Sequence, residues 1–416
     1  MEKINKKVLI LAENLEVNRT SSGLRSNKQI LLYKSYFGEV EVLTTTPLDY
    51  FKQMEGVKYN FIETSTIKES FLSKIPKAKA IPAYLKGFNL KYLKIIKLWS
   101  KFTVDLLQKD HKDIVVVLGS GIRNYPSFAM LDIDKSLYGK YLQFVHDPYP
   151  SSCYPDPYTI KVKRPEQIRR SKFKKVLYKA DILSYPSMDL QKWMQKFYGE
   201  NLKSKSIIQH HIGLHKSELN PILVNTTSDT IILKKGLNIT HTGTLIGHRE
   251  PLYLFRAFEK LLENYPEAKK EVFINVIGKV NNYWSELKIP TNNINVFKDR
   301  VSYAESLDIQ KKSDVLFTIE PVTDISPIMH GKMADYFTFE KPVLALTSKK
   351  SENARLLGYD YALTIENGDV SKIYKALKLI YYKFKNNKLQ ELNVSLHKRK
   401  VVFPDAWILN LKSKIL

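Results

Sequence analysis

The chain has 416 residues, of which 66 are Lys or Arg and 42 are Asp or Glu, and this gives a formal net charge of +24. Apolar residues make up 44% of it, which excludes wholesale disorder, and the length predicts two or three packed domains. A single cysteine, Cys153, excludes a disulfide framework, and no apolar run approaches the ~18–20 residues of a membrane span. The apolar run Val8–Ala12 is shorter than a signal-peptide core, so we predict a cytoplasmic protein, soluble or peripheral on the inner face of the cell membrane.

The first half of the chain alternates short apolar runs with helical stretches, which is typical of a parallel, doubly wound α/β sheet. After the first run comes a loop with Ser21, Ser22 and Gly23, and a helix is predicted from Leu24 to Tyr36. The strands predicted in this half are, in chain order, Lys7–Ala12, Glu39–Leu43, Asp113–Leu118, Tyr141–Val145, Asp181–Ser184 and Ser206–Gln209.

The same alternation restarts after Ser217–Gly236, a segment rich in turn residues, so we predict a domain boundary there. Helices are predicted at Pro251–Asn264, Tyr303–Lys312 and Ile328–Phe339. The strands predicted in this half are Leu237–Thr242, Val272–Ile277, Ile294–Phe297, Val315–Ile319 and Pro342–Leu346. The sequence therefore predicts two similar α/β halves that face each other.

The positive charge predicts an anionic partner, and it is concentrated in two basic segments. Lys74–Lys101 has eight Lys and no acidic residue, and its last four Lys recur at helical spacing beside an apolar face with Trp99 and Phe102. This pattern predicts binding to an anionic membrane surface with insertion of the two aromatic residues, although a surface helix packed on the core shows the same spacing. Lys161–Lys179 has nine Lys or Arg and one acidic residue. Without a zinc-finger or RNP-type motif, no nucleic-acid partner is predicted.

Ligands of doubly wound sheets bind beyond the carboxyl ends of the strands, so residues that follow strands are the candidates for function. Gly243 and Thr244 directly follow a predicted strand, and Arg249 comes soon after them. A glycine lets the backbone approach a phosphate, and an Arg can bind it with two hydrogen bonds. The alternative is a turn that only connects a strand to a helix.

A second candidate lies on the helix predicted over 328–339. Lys332 and Asp335 are three residues apart and therefore share a face. The Lys, near the start of the helix, could bind a diphosphate, and the Asp could accept hydrogen bonds from two ribose hydroxyls. An ordinary ion pair on the helix surface is the alternative.

His146 and Asp147 follow another predicted strand, where His146 could orient a substrate or shuttle a proton, or the two residues could cap the loop. The other histidines lack the spacing of a metal site, so no metal is predicted. The chain contains neither a Gly-x-Ser-x-Gly elbow nor a Walker loop, which argues against a serine hydrolase or a P-loop protein.

Together these motifs resemble the GT-B glycosyltransferases, in particular glycosyltransferase family 4. The stretch THTGTLIGHREPLYLFRAFEKLLENYP (Thr240–Pro266) is similar to the start of the donor domain in that family, where a Gly loop and an Arg hold the diphosphate. HGKMADYFTFEKPVLAL (His330–Leu346) resembles the helix before the family's Lys-Pro-Val, with Asp335 where Glu is usual. Many members have two Glu separated by seven residues, and Pro327 stands at the first position.

The resemblance implies two Rossmann-like, doubly wound domains facing each other across a cleft. It implies an acceptor domain over 1–215, a donor domain over 216–403, and a helix over 404–416 that returns to the first domain. The residues assigned to the donor are Gly23, Arg25, Gly243, Thr244, Arg300, Val301 and Asp335, and those assigned to catalysis are Arg249, Lys332, His146 and Asp147.

The implied activity moves a sugar from a nucleotide-sugar donor to a cell-envelope glycan or a lipid-linked acceptor, with retention of configuration. No metal or other cofactor is expected, because Arg249 and Lys332 would stabilise the departing diphosphate. Two alternatives remain open, which are a non-catalytic GT-B-like binding subunit and a nucleotide-sugar epimerase on the same fold.

Overall fold

The computed structural model describes residues 3–17, 20–65, 67, 81–82, 84–119, 124–213, 233–245, 247–278, 292–297 and 299–416. They form two compact units. The first unit contains the described residues of Met1–His210 together with Pro404–Leu416, and the second contains residues 211–213 and the described residues of Leu223–Phe403. The boundary predicted between residues 215 and 216 lies outside the described residues, as do residues 74–80 of the basic segment.

The first unit contains a seven-stranded parallel sheet with the order β3-β2-β1-β4-β5-β6-β7. Its strands are β1 (Ile4–Ala12), β2 (Phe37–Thr44), β3 (Lys58–Phe61), β4 (Lys112–Leu118), β5 (Tyr138–Phe144), β6 (Ile182–Tyr185) and β7 (Ser206–Ile208). Its helices between the strands are α1 (Ser21–Tyr36), α2 (Leu90–Lys109), α3 (Tyr125–Ala129), α4 (Arg164–Lys179) and α5 (Met188–Tyr198). The central strands are fully buried because helices cover a parallel sheet on both faces.

The second unit contains a six-stranded parallel sheet with the order β10-β9-β8-β11-β13-β15, and a separate short pair β12-β14. Its strands are β8 (Leu237–Thr242), β9 (Val272–Ile277), β10 (Ile294–Phe297), β11 (Val315–Ile319), β12 (Ile325–Ser326), β13 (Val343–Thr347), β14 (Lys350–Ser351) and β15 (Thr364–Glu366). Its helices are α6 (Leu252–Asn264), α7 (Tyr303–Lys312), α8 (Gly331–Thr338), α9 (Glu352–Leu357), α10 (Val370–Lys385) and α11 (Leu396–Arg399).

Each sheet reverses its strand order at one place, between β1 and β4 in the first unit and between β8 and β11 in the second. The loops that leave these two pairs of strands diverge, which opens a crevice beyond their carboxyl ends. The predicted class of two doubly wound α/β domains is confirmed. The residues after β1, β4, β8 and β11 are therefore the ones placed to meet a ligand.

The C-terminal helix α12 (Pro404–Ile415) packs within the first unit. The Trp407 ring meets the ring of Tyr33 edge-on, with 5.1 Å between centroids. The Asn410 side-chain amide donates to the Ile208 carbonyl at 2.7 Å. Through these contacts, the end of the chain packs on α1 and on strand β7 of the first sheet.

Helix α2 corrects the role predicted for its aromatic residues. Trp99 is 0% exposed and belongs to the core of the first unit, and Phe102 packs against the same core. Membrane insertion by Trp99 is therefore wrong, because its indole already fills the space between helix and sheet. Lys91, Lys94 and the other Lys of this helix do face solvent. Among the helices that the structure describes, none is both long and apolar enough to cross a bilayer.

Candidate functional site

The turn after β8 brings a glycine against two other loops of the second unit. Gly243 has φ +117°, a conformation that side chains rarely adopt, and its N–H donates to the Ile277 carbonyl at 2.7 Å. A Cβ added to Gly278 would lie 2.7 Å from the Gly243 carbonyl oxygen, and one added to Gly243 would lie 2.8 Å from the Lys332 Nζ. Glycine at 243 thus leaves the space that the ammonium group occupies.

Lys332 is held by a histidine that faces it from β8. Its Nζ lies 3.0 Å from the Nε2 of His241, whose Nδ1 lies 2.9 Å from the Phe317 carbonyl oxygen. Because a carbonyl can only accept, Nδ1 carries the imidazole proton and Nε2 accepts from the ammonium. The sequence analysis missed His241, although a histidine in an otherwise buried central strand was a signal that could have found it.

The surroundings of Lys332 are rich in positive charge. Burial and, to a smaller extent, the Arg249 charge lower its pKa to about 7, against the opposing effect of Asp335. Burial and the Lys332 charge also hold the pKa of His241 well below 6.5. The Nε of Arg249 is buried and has no hydrogen-bond partner within the described part of the chain. A bound anion would pair with this N–H and restore the charge of Lys332.

Helix α8 adds its N-terminus to these cations. His330 is its N-cap, Lys332 lies in its first turn, and no side-chain cap bonds to its first turn within the described residues. A Cβ added to Gly331 would meet nothing within 4 Å, so the start of the helix is open. The first N–H groups of a helix attract anions, and here they are combined with two side-chain cations.

Asp335 lies one turn further along α8 and is only 7% exposed. The Tyr303 hydroxyl donates to its Oδ1 at 2.7 Å, and burial together with the Asp335 charge raises the pKa of Tyr303 well above 10. Arg300 and Val301, the predicted base-binding residues, precede Tyr303 by three and two residues, in the segment that leads into α7. Tyr303 had no assigned role in the sequence analysis.

A buried carboxyl group at the end of β11 orders the loops beneath these residues. Glu320 accepts hydrogen bonds from the Ser348 N–H and the Ser351 hydroxyl, each at 2.8 Å, and from the Asn353 amide at 2.5 Å. The Asn353 Oδ1 in turn accepts from the His330 N–H at 3.1 Å. Burial raises the pKa of Glu320 to about 7, while these hydrogen bonds and Arg249 oppose that rise.

In the first unit, Gly23 permits a close approach at the start of α1. A Cβ at this position would lie 2.3 Å from the Glu16 carbonyl oxygen, and the Gly23 N–H donates to the Thr20 hydroxyl at 3.0 Å. Thr20 is the N-cap of α1. This turn brings Arg25, on the first part of the helix, toward the carboxyl ends of β4 and β5.

Arg25 is 8% exposed and lies near residues that follow both strands. Its Nη2 is 3.5 Å from the Gly119 carbonyl oxygen, and its Nε has no hydrogen-bond partner in the described residues. Burial lowers the pKa of Arg25 to about 10, and the Asp147 charge opposes this change. The His146 Nε2 lies 3.8 Å from an Asp147 oxygen. The structure therefore brings Arg25, His146 and Asp147 together within the first unit.

One group of three carboxylates in the described part of the chain could hold a metal ion, and it lies away from these residues, around the start of β4. Lys112 occupies its centre, with its Nζ 2.9 Å from Glu39, 2.8 Å from Glu41 and 2.7 Å from Asp110. Lys112 is 0% exposed, so the three carboxylates compensate a buried cation.

No protein-family model and no curated protein matches the chain. Solved structures do match it, among them the UDP-forming trehalose-phosphate synthase of Burkholderia xenovorans in complex with glucose-6-phosphate, with a TM-score of 0.62, 13% identity and coverage of 98% of this chain and 99% of that one. A glycosyltransferase from Rickettsia africae ESF-5 matches with a TM-score of 0.58, 13% identity and coverage of 99% of this chain and 98% of that one. The S. aureus MnaA–UDP co-structure matches with a TM-score of 0.51, 13% identity and coverage of 99% of this chain and 98% of that one.

The chain has the GT-B fold. Within the second unit, the structure places Gly243, Arg249, Lys332 and Asp335 around the carboxyl ends of β8 and β11, with Thr244 half-buried in the same turn. The grouping of these residues in space is a property of this chain, independent of the similarity in fold.

Proposed function

We propose that the chain is a glycosyltransferase of the family 4 type, which moves a sugar from a nucleotide-sugar donor to a cell-envelope glycan or a lipid-linked acceptor. The observation that carries the proposal is the pair of cations, Arg249 and Lys332, beside the open Gly243 turn and the first turn of α8. A donor diphosphate supplies the negative charge that this arrangement lacks.

The residues of the second unit divide the donor among them. Arg249 and Lys332 bind the diphosphate and stabilise the charge that develops as it leaves. Asp335, oriented by Tyr303, accepts from the ribose hydroxyls, and Arg300 with Val301 lies near the base. The charge comes from side chains, so we expect turnover to continue when divalent metals are removed with EDTA.

The first unit serves the acceptor and the transferred sugar. Gly23 shapes the turn that places Arg25, which is proposed to contact the donor, and His146 with Asp147 acts on the reacting hydroxyls. Retention of configuration is part of the proposal, and NMR of the first product formed reads the anomeric configuration directly.

The matched structures suggest which nucleotide to test first. The Burkholderia protein is named as UDP-forming, and the S. aureus protein was solved with UDP. We therefore expect UDP to bind more tightly than GDP or ADP in calorimetry with the whole chain. A clear preference for GDP or ADP would agree with the proposed diphosphate site but would mean that the donor carries a different base.

Turnover distinguishes the proposal from its alternatives. Release of UDP from a UDP-sugar in the presence of a glycan acceptor supports a glycosyltransferase. UDP-sugar interconversion without acceptor would identify an epimerase, and nucleotide binding without any turnover would indicate a binding subunit. Arg256→Ala is the matched control for Arg249→Ala, because Arg256 is exposed on α6 of the same unit.

A further inference from the structure

Five large apolar side chains of the first unit are exposed in two short segments that lead into helices. Ile81, Tyr84 and Leu85 precede α2 and are 56%, 52% and 56% exposed. Ile160 and Val162 precede α4 and are 45% and 51% exposed. Single exposed apolar residues are ordinary on protein surfaces, whereas several in two segments that contact each other indicate a surface for a partner.

Contacts between the two segments place these residues on one surface. The Arg164 guanidinium lies 4.9 Å from the centre of the Tyr84 ring. Further along α4, the Lys172 Nζ donates to the Lys86 carbonyl at 3.1 Å. Ile160 and Val162 come four and two residues before Arg164, in the segment that leads up to the contact with Tyr84.

The surface is also strongly basic. Lys86, Lys161, Lys163 and Arg164 are all exposed on it. The one acidic residue between 158 and 179 is Glu166, which is 3% exposed and pairs with Arg169. Exposed positive charge therefore surrounds the apolar side chains without exposed acidic residues from α4.

We propose that this surface docks the protein on a lipid bilayer that contains anionic headgroups. We call it the basic apolar patch, and it consists of Ile81, Tyr84, Leu85, Ile160, Val162, Lys86, Lys161, Lys163 and Arg164. The cations meet the lipid phosphates, and the aliphatic side chains enter the boundary between headgroups and acyl chains. Nucleic acid fits less well, because four of the five apolar residues are aliphatic and cannot stack on bases as aromatic rings do.

Trp99, the residue predicted to contact the membrane, is buried in the core, whereas the residues of the basic apolar patch are exposed. The proposal does not depend on the proposed function, because vesicle binding is measured without donor or acceptor. A chain that binds vesicles and transfers no sugar would overturn only the glycosyltransferase, and the reverse result would overturn only the patch.

Sedimentation with vesicles of phosphatidylcholine, with and without phosphatidylglycerol, tests the contribution of charge. Binding should require the anionic lipid and weaken as salt rises. Lys86→Gln, Lys161→Gln and Lys163→Gln together should weaken it by about a hundredfold, at roughly a fivefold loss for each Lys near an anionic surface. The matched control is Lys269→Gln, Lys270→Gln and Lys388→Gln, three exposed Lys of the second unit that should leave binding unchanged.

Insertion needs a separate readout, because charge alone could hold the protein above the lipid. Leu85→Trp should give fluorescence that brominated lipids quench above the background of the four native Trp, whereas Leu396→Trp in the second unit should not. Ile81→Ser, Leu85→Ser and Val162→Ser together should reduce binding about tenfold with unchanged circular dichroism.

Two results would overturn the proposal. One is a parent protein that ignores anionic vesicles at low salt or that binds RNA instead. The other is vesicle binding that the three Ser changes leave intact and that never quenches a Trp at 85.

Discussion

The two sheets have the same strand order up to their edges, yet the side chains beyond their switch points differ in charge balance. In the second unit, Arg249 and Lys332 are two neighbouring cations, and burial together with their charges holds the pKa values of His241 and His330 well below 6.5. In the first unit, Arg25 lies beside Asp147, whose charge stabilises the guanidinium. One fold thus carries a site where two cations repel each other and a site where one cation faces a carboxylate.

This difference indicates which part of a substrate each unit suits. Two cations that repel each other gain most from a ligand with two negative charges, such as a diphosphate. A cation that already faces a carboxylate gains less, and it suits hydroxyl groups, which donate and accept. Under the proposed function, the side chains after the strands, rather than the shared topology, distinguish a donor side from an acceptor side.

Loss of either cation in the second unit should have the largest effect. Arg249→Ala or Lys332→Ala should raise the activation free energy by about 2–4 kcal/mol and lower kcat/KM accordingly, because each removes a contact to charge that develops on the leaving diphosphate. Initial rates of UDP release measure this effect. Arg256→Ala and Lys260→Ala, both exposed on α6, are the controls. Variants of the two cations that turn over like the parent would remove the basis for the donor site.

Gly243→Ala should weaken donor binding without removing any charge. The new Cβ would meet the Lys332 Nζ at 2.8 Å, and φ +117° would cost of order 1–3 kcal/mol for a residue with a side chain. Calorimetry with UDP and thermal unfolding measure the two effects. Gly38→Ala is a matched control, because a Cβ there has its nearest contact at 3.6 Å. Unchanged affinity in the Gly243 variant would mean that Lys332 does not hold the ligand from this position.

The lowered pKa of Lys332 predicts a pH dependence of donor binding. With a pKa of about 7 in the free protein, Lys332 is mostly neutral at pH 8, and a bound diphosphate favours its charged form. Binding of a UDP-sugar should therefore take up a proton at pH 8, and affinity should fall by up to about tenfold per pH unit above 7. Calorimetry in two buffers with different ionisation enthalpies counts the protons. Lys332→Arg keeps a charge that does not titrate there, and it should abolish the uptake.

The central strands could be predicted from sequence because parallel strands buried on both faces are continuous apolar runs. Val272–Ile277 and Val315–Ile319 were predicted with the bounds that the structure has. The edge strands β3 and β15 were missed, since KYNF and TIE contain too few apolar residues to stand out. Helix α8 starts at Gly331 rather than 328, because the bond from the His330 N–H to Asn353 holds the preceding residues outside the helix.

The position of the candidate site was predictable, but the contacts within it were not. Topology places the residues after β8 and β11 at one edge, whatever the side chains are. The bond between His241 and Lys332 joins residues 91 apart, and the bond between Tyr303 and Asp335 joins residues 32 apart. Helical spacing likewise could not distinguish whether Trp99 faced a membrane or the core, since both environments are apolar.

Asp335 should affect donor affinity more than chemistry. Asp335→Asn weakens acceptance from ribose hydroxyls, so we expect a rise of roughly 5- to 30-fold in donor KM, which corresponds to about 1–2 kcal/mol, with a smaller change in kcat. Tyr303→Phe removes the 2.7 Å hydrogen bond that orients this carboxylate, and its effect should be smaller. A 2′-deoxy-ribose donor should lose little further in the Asn variant. An unchanged KM would mean that Asp335 is a buried residue of α8 that does not contact the donor.

The smallest effect tests the charge balance itself. In the first unit, Arg25→Met and Asp147→Asn should be coupled by about 0.5–1 kcal/mol in the free energy of unfolding, because either change alone leaves one charge of an attractive pair. In the second unit, Arg249→Met and Lys332→Met should show coupling of the opposite sign. Either change alone removes the repulsion between the two positive charges, so the second change gains nothing further from its removal. Urea unfolding measures both cycles, with equal slopes as the control for intact folding. Coupling of the same sign in both units would mean that the two sites do not differ in charge balance, and the division into donor and acceptor sides would lose its electrostatic basis.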